Sequence, residues 1–340
     1  MKHSKFLIIL FISLFVLQSE MGTAQTVSKV GTTSASFLTL PVGARSSAMA
    51  ANVASVNDLS SMYWNPAGLS DVKTPQVMLE YTDWLLDFNH TFLGASIPVA
   101  KGSVGFHVLA LDFGSFDETT VEANGKTGRT FNAYSISTGV TFSQYLIPEF
   151  TIGGTVKFIY ERISENSASA IAFDVGTIYR TPFDDIKLGV SITNLGPEMR
   201  MMGTDNIVRY DPIEGNLGEF EPDAELSTEG FPLPLNLRVG LSWEAYNEKG
   251  NTLVLGIDGT SPNDNFQSVS FGGEFATLDG QLMFRGGVPY AGLSTTDEQF
   301  TLGFGLNYKL SSRYGMRLDY SYHAFELLSN VNKISVQLQF

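Results

Sequence analysis

The stretch TLGFGLNYKL, residues 301–310, alternates apolar residues with small or polar residues along its whole length. The apolar set is Leu302, Phe304, Leu306, Tyr308 and Leu310, and the other set is Gly303, Gly305, Asn307 and Lys309. Because successive side chains of a strand point to opposite faces, this pattern predicts a β-strand with one apolar face. The same alternation recurs within residues 168–180 and 234–246.

Working outward from this stretch, alternating segments between turn residues predict fourteen strands. They cover residues 76–84, 89–99, 102–113, 130–142, 150–162, 168–180, 186–194, 234–246, 251–259, 266–277, 280–289, 297–310, 314–325 and 331–340. Most have about 9 to 13 residues, and a tilted strand needs ~9–11 to cross a bilayer. Short turns alternate with longer links near 114–129, 195–233 and 289–297, as in outer-membrane barrels with periplasmic turns. The predicted fold is therefore all-β, a 14-stranded antiparallel transmembrane β-barrel.

The second face of these strands carries most of their charge. Its charged residues are Lys157, Glu161, Asp174, Arg238, Glu244, Glu274, Arg285, Lys309, Arg317 and Asp319. In a barrel these side chains would face the lumen, because an Arg or Lys facing lipid near the midplane costs about 2–4 kcal/mol. A secreted β-sandwich is the soluble alternative, but one sandwich core could not cover so many apolar faces.

The N-terminus and the composition predict where the chain works. Lys2 and Lys5 precede the apolar run 6–17, and small residues follow at 22–24, which predicts a signal peptide over residues 1–24. The net charge of −14 makes nucleic acid an improbable partner. With the predicted barrel, export indicates the outer membrane of a Gram-negative bacterium, with outer-membrane lipid as the first partner.

A barrel of fourteen strands is too wide for wall side chains alone to fill its lumen. Residues 25–74 are the longest segment of the predicted mature chain without a predicted strand, and they are rich in Ala, Ser, Met and Gly. We therefore expect this segment to be an N-terminal hatch, or plug, inside the lumen, with residues 75–340 forming the barrel.

The hatch contains SMYWNPAGLS, residues 61–70, where two aromatic residues precede an Asn-Pro turn. Asn57 and Asp58 are expected to cap a short helix that ends before Pro66. Asn65 should bond the backbone two residues further on, and Gly68 should reverse the chain.

The stretch GARSSAMAANVASVNDLSSMYWNPAGLS, residues 43–70, resembles the N-terminal signature of PorV/PorQ outer-membrane proteins. Its Asn-Pro-Ala triplet resembles the hatch motif of the FadL fatty-acid transporters, whose fold that family shares. The hatch motif comprises Gly43, Ala44, Arg45, Asn57, Asp58, Trp64, Asn65, Pro66 and Gly68. Ala50 and Ala51 depart from the family, whose members usually carry glycine there. We expect Arg45 to lie inside the lumen and to pair with a wall carboxylate such as Glu80 or Glu161, because an unpaired buried guanidinium is strongly unfavourable.

The resemblance leaves two functions open. Likeness to PorV/PorQ implies a docking or shuttle component for protein export and surface attachment by type IX secretion, with the translocon and exported cargo as partners. Likeness to FadL implies a carrier of hydrophobic small molecules, with an apolar pocket beside Met49, Met62 and Trp64.

The candidate docking surface is the acidic loop 195–233, which is longer than the ~12–15 residues beyond which loops are usually functional. Its acidic candidates are Asp205, Asp211, Glu214, Glu219, Glu221, Asp223 and Glu225, which could instead hold a cation. Asp258 and Asp264 could ligate calcium, but a plain hairpin loop is the simpler interpretation. The chain has no Cys, P-loop or G-x-S-x-G motif, and its His residues lack metal spacing. No enzyme activity, cofactor or metal is predicted.

Overall fold

The computed structural model describes residues 29–121, 123–209, 222–291, 296–309, 311 and 313–340. The predicted signal peptide lies outside these residues. Fourteen long strands form the barrel. They are β1 Gln76–Asp83, β2 Asn89–Val99, β3 Gly102–Thr120, β4 Gly125–Ile147, β5 Phe150–Ile163, β6 Asn166–Arg180, β7 Ile186–Leu195, β8 Asn236–Glu248, β9 Asn251–Pro262, β10 Ser268–Thr277, β11 Leu282–Ala291, β12 Glu298–Lys309, β13 Gly315–Phe325 and β14 Val331–Gln339.

Each strand pairs antiparallel with its neighbours in sequence, and β1 pairs with β14, for example Leu79 opposite Val336, so that the sheet closes. The predicted 14-stranded antiparallel barrel is thereby confirmed. The start of β1, the end of β14 and the turns after β2, β4, β6, β8, β10 and β12 lie at one end of the barrel, which we call the turn end. The long connection between β7 and β8 lies at the opposite end, the loop end, together with shorter connections such as the two-residue turn between β5 and β6.

The two faces of the wall divide as the alternation predicts. On β12 the outward side chains of Leu302 and Tyr308 are 52% and 57% exposed, whereas the lumen-facing Thr301 is 1% exposed. Most of the predicted lumen charges are buried: Lys157, Asp174, Arg238, Glu274, Arg285 and Asp319. Lys309, at the end of β12, is exposed instead. The apolar outer face suits lipid, which is how an outer-membrane barrel presents its strands.

The predicted link 114–129 is wrong, because β3 and β4 continue through most of it as a two-stranded hairpin. Phe116 stacks on Phe131 with ring centroids 5.5 Å apart, and Arg129 is paired with Glu118 at 2.6 Å. The pairing skips between Asp112 and Ser115, around Gly114 with φ +76°. This irregularity shifts the phase of the alternation, which is why the strand signal stops early in the sequence.

The N-terminal segment, residues 29–74, forms short elements inside the barrel. They are a 3₁₀ turn Ser36–Thr39, the helix α1 Ala44–Met49, the helix α2 Ser61–Trp64 and a 3₁₀ turn Pro66–Asp71. Nearly all side chains of residues 42–72 are buried against the wall. None of the helices in the described residues is long and apolar enough to span a membrane.

The connection between β7 and β8 holds short strands where the sequence predicts a loop. Met199–Arg200 pairs with Gly230–Phe231, and Ile207–Arg209 pairs with Asp223–Glu225. Met202–Gly203 adds to the edge of β6. The connection therefore packs onto the loop end of the wall.

Candidate functional site in the barrel lumen

The turn before α1 depends on a glycine. Gly43 has φ +85°, a left-handed value that side chains rarely adopt, and a Cβ there would lie 2.6 Å from Cβ of Ser60. Glycine is thus required at position 43 for two reasons: its backbone conformation, and the close approach of the chain at the start of α2. Ala44 follows as the first residue of α1 and is fully buried.

Arg45 of α1 lies in a buried ion network. Its Nε and Nη2 each donate to the Glu274 carboxylate of β10 at 3.0 Å, and Nη1 donates to Asn57 at 2.9 Å and to Asp58 at 3.4 Å. Arg45 therefore pairs with a wall carboxylate inside the lumen, as predicted, but that carboxylate is Glu274 and neither Glu80 nor Glu161. Glu80 lies 3.9 Å from Lys333, and Glu161 accepts the backbone N–H of Ala35.

The network extends along the wall. Arg285 donates to Glu274 at 2.6 Å and to Asp319 at 2.8 Å, and Arg317 lies 2.8 Å from Asp319. Counting Arg45 and Asp58, three guanidinium groups meet three carboxylates, so the cluster is neutral. Burial by itself would raise the pKa of Asp58, but Arg45 and Arg317 outweigh it and hold that pKa below its ordinary value.

The sequence predicts that Asn57 and Asp58 both cap a helix, but the structure does not show both of them in that role. Asn57 accepts from Arg45, and only Asp58 acts locally, accepting the backbone N–H of Ser60 at 2.9 Å. The helix α2 begins at Ser61, one turn later than a cap at Asn57 would place it.

The Asn-Pro turn joins the segment to the opposite wall. Asn65 accepts the N–H of Ala67 at 3.2 Å, two residues on, and Pro66 opens the next 3₁₀ turn. The Asn65 amide also donates to the carbonyl oxygens of Val53 at 2.9 Å and Thr177 at 3.1 Å. Gly68 does not reverse the chain. It lies inside the 3₁₀ turn, where a Cβ would be 2.4 Å from the Val56 carbonyl oxygen.

Trp64 faces a polar cavity of about 180 Å³ between the segment and β8–β13. Its Nε1 donates to the Val42 carbonyl at 2.7 Å, and the guanidinium of Arg238 lies 5.1 Å from its ring. Asp258 also lines the cavity and accepts the backbone N–H groups of Asn52 and Val53, at 2.6 and 2.9 Å. This anchoring role of Asp258 was not predicted from the sequence, although the parity of Asp258 in β9 places its side chain on the lumen face.

An apolar cluster occupies another part of the lumen. Its members from the N-terminal segment include Phe37, Leu38, Val42, Leu59 and Met62, and its members from the wall and loops include Met78, Phe92, Leu109, Leu111, Ile159, Ala168, Ala170, Ala172, Met199 and Leu233. Phe37 and Leu38 are 2% and 4% exposed. The sequence predicted an apolar pocket beside Met49, Met62 and Trp64, but of these only Met62 belongs to the cluster.

The docking-loop candidates are described only in part. Asp211, Glu214, Glu219 and Glu221 lie outside the described residues. Asp223 and Glu225 belong to the hairpin with Ile207–Arg209, and Asp205 accepts the backbone N–H of Glu165 at 3.1 Å. Within the described ranges, no three His, Cys, Asp or Glu side chains are grouped to hold a metal ion.

Comparison with known proteins supports the fold. No protein-family model and no curated protein matches the sequence. The chain is similar in structure to the toluene transporter TodX of P. putida, with a TM-score of 0.58 and 13% identity over 88% of this chain and 98% of that one. It is similar to the toluene transporter TbuX of Ralstonia pickettii, with a TM-score of 0.57 and 13% identity over 88% of this chain and 98% of that one. It is also similar to a FadL homologue of Pseudomonas aeruginosa, with a TM-score of 0.50 and 11% identity over 85% of this chain and 95% of that one.

These identities establish the fold alone. It is the fold of FadL-like outer-membrane transporters, which agrees with the predicted outer-membrane location. The FadL-like fold that the resemblance implied is therefore confirmed, whereas none of these structures supports PorV or PorQ specifically.

Proposed function

We propose that this protein is an outer-membrane channel for hydrophobic small molecules, with residues 25–74 as its hatch. The observation that carries the proposal is the apolar cluster inside the lumen. Ligand sites for such solutes are concave and mostly apolar, and this cluster lies where wall and segment meet. The similar structures named as toluene transporters and as a FadL homologue support the same function. This reverses the order of the two functions given by the sequence signature, which placed docking first.

The part of the hatch that packs into the apolar cluster is held to the rest of the barrel by few hydrogen bonds. Phe37 and Leu38 pack in it from the turn Ser36–Thr39, while Ser34 donates its N–H to the Pro232 carbonyl at 3.0 Å. Ala35 donates its N–H to Glu161 at 3.0 Å. A hydrophobic solute can replace apolar side chains with little loss of free energy, because both bury similar surface. We therefore place solute entry where Phe37 and Leu38 now lie.

The test introduces a bulky side chain on the wall, so that it reduces the space of the apolar cluster. Ala170→Phe adds a ring on the lumen face of β6, and Ala95→Phe adds the same ring on the lipid face of β2. With both barrels assembled in liposomes, we expect uptake of radiolabelled toluene to fall about tenfold in the first and to stay unchanged in the second. Unchanged uptake in an assembled Ala170→Phe barrel would contradict the proposal. If Ala170→Phe fails to assemble, Ala170→Leu provides a smaller obstruction with the same expected direction.

Docking of exported protein, the function implied by PorV/PorQ, is the second candidate. It is favoured by exposed apolar side chains on the connection between β7 and β8, namely Met202, Ile207, Leu226 and Phe231, each 48–55% exposed. Exposed apolar patches on loops often contact other proteins. The acidic candidates Asp205, Asp223 and Glu225 lie on the same connection.

One deletion variant distinguishes the two functions. Leu226 donates its N–H to the Asn206 carbonyl at 2.8 Å, so residues 207–225 can be removed with their flanking residues already adjacent. Docking predicts that the deletion abolishes co-purification with translocon or cargo, and transport predicts unchanged toluene uptake. Lost toluene uptake with retained co-purification would contradict both assignments of the loop.

A further inference from the structure

A groove of about 650 Å³ lies at the turn end, outside the lumen site described above. The turn between β2 and β3 forms one wall, and the end of β4 with the turn after it forms the other. Lys73, from the link between the hatch and β1, closes one side. Three parts of the chain therefore meet around one surface groove.

The lining of this groove has an unusual composition for this chain. It contains the ammonium groups of Lys73 and Lys101 and no carboxylate, although the whole chain has a net charge of −14. The rest is Tyr145 and the apolar or small residues Pro98, Val99, Ala100, Gly102, Leu146, Ile147 and Pro148. Two cations bordered by apolar surface are complementary to an anion that carries a hydrocarbon part.

Lys73 is held in place with donor capacity left over. Its Nζ donates to the Ser70 carbonyl at 2.5 Å and to the Tyr145 hydroxyl at 3.0 Å, and it lies 4.1 Å from the Tyr145 ring centroid. An ammonium group has three N–H donors, so one remains for a ligand. Burial lowers the pKa of Lys73, more than Asp71 raises it, and a bound anion would reverse that shift.

We propose that this groove binds the phosphate of a phospholipid from the inner leaflet of the outer membrane. Short turns of outer-membrane barrels face the periplasm, and tyrosines there lie at the headgroup level. Leu146 and Ile147 are 53% and 55% exposed, as expected of side chains that contact lipid. The phosphate accepts from Lys73 and Lys101, and the glycerol and first methylene groups contact the apolar lining.

Such a lipid would join the hatch to the wall. Lys73 lies two residues after the end of the 3₁₀ turn Pro66–Asp71, whereas Lys101 belongs to the wall turn between β2 and β3. Arg180 already holds the end of the hatch by pairing with Asp71 at 2.7 Å. A bridging phosphate adds a second ionic contact at the same end.

The test is native mass spectrometry of the detergent-solubilised barrel titrated with phosphatidylglycerol. Lys73→Gln/Lys101→Gln is compared with Lys187→Gln/Lys309→Gln, which removes two lysines elsewhere on the wall near the turn end. We expect about tenfold weaker binding of one lipid in the first variant, the scale of a lost charge-assisted contact, and less than about twofold in the second. Heat-modifiable migration in gels verifies that both variants are assembled barrels.

Two further ligands identify what is bound. Diacylglycerol, which lacks the phosphate, should bind the wild-type barrel as weakly as phosphatidylglycerol binds the lysine variant. Inorganic phosphate at millimolar concentration should compete poorly, because it makes no apolar contacts. Equal losses in the two lysine variants, tight diacylglycerol binding, or full competition by inorganic phosphate would each overturn the lipid site. Toluene uptake plays no part in this test, so its result is independent of the proposed transport function.

Discussion

The N-terminal segment that we propose as the hatch, called the hatch below, approaches wall glycines closely on both sides, but a buried network of charges joins the contact on only one of them. On that side a Cβ at Gly303 would lie 2.4 Å from Cβ of Ala48. On the ionic side, α1 meets β10–β13 through Arg45 and Glu274 in a buried network of charges. On the glycine side, residues 65–71 meet β3–β6 at contact distance. A Cβ at Gly176 would lie 2.0 Å from the Asn65 side-chain oxygen, and one at Gly153 would lie 2.4 Å from the Pro66 carbonyl carbon.

The glycine side also uses small hydroxyl donors. Ser143 donates to the Ala67 carbonyl at 2.9 Å, and Ser103 donates to the Val72 carbonyl at 2.8 Å. These hydroxyl and glycine contacts are neutral and tolerate a change in pH. The ion pair of Asp71 with Arg180 on the same side is only partly buried, whereas the charges on the ionic side are buried and each needs its partner. The ionic side is therefore the one that solution conditions can loosen, while the glycine side depends on shape. We expect the following changes to separate the two, in order of decreasing effect.

Removing Glu274 should have the largest effect. Glu274→Ala leaves Arg45 and Arg285 buried with one carboxylate partner fewer each, and losing one partner of a buried pair costs about 3–5 kcal/mol. The midpoint temperature of heat-modifiable migration in detergent should fall accordingly. Glu165→Ala, which removes an exposed partner of Arg162, should leave it nearly unchanged. Similar losses in the two variants would show that the network does not anchor the hatch.

Adding one methyl group tests the glycine side. Gly176→Ala forces Asn65 or the wall to shift, and overpacking of this kind costs about 1–3 kcal/mol. Gly154→Ala is the matched control, because its Cβ would meet nothing nearer than the Asp174 carbonyl oxygen at 3.6 Å. The unfolding midpoint should drop in the first variant only. If both variants behave alike, close approach at Asn65 is not what holds this side.

Acid should loosen the ionic side more than the glycine side. Because the folded pKa of Asp58 is lowered from 3.8, its contribution is complete above about pH 4 and is lost as the pH falls through the folded value. Limited proteolysis should therefore reach residues near α1 below pH 4 while residues 65–70, which meet the wall through neutral contacts, stay protected. Asp58→Asn should make α1 accessible to protease already at neutral pH. Equal exposure of both sides in acid would contradict the division.

The smallest effect is expected at Ala50, which has a left-handed backbone conformation. Ala50 has φ 56°, a left-handed value that costs a residue with a Cβ about 1 kcal/mol. Ala50→Gly relieves this strain but adds backbone freedom to the unfolded chain, so the net gain should be about 0.5 kcal/mol. A small rise in the unfolding midpoint would be measured, and a fall would show that the Ala50 methyl is needed for packing.

The sequence by itself determined the number, order and faces of the wall strands, because the two-residue period of a strand is local. It also determined the Asn65 turn, since a side chain that bonds two residues on needs no distant partner. It ended β3 too early and began β4 too late, because the irregularities near Gly114 and between Asp117 and Thr119 break the period there.

Only the tertiary structure decided which groups meet across the lumen. Glu274 lies 229 residues from Arg45, and parity along a strand says which face a carboxylate occupies but not which part of the hatch lies opposite it. The same holds for Gly68 and Gly176, whose role is close approach to Val56 and Asn65 and not a turn. These contacts depend on how the hatch is rotated inside the ring of strands. That rotation is set by the packing of all its surfaces at once, which no local pattern encodes.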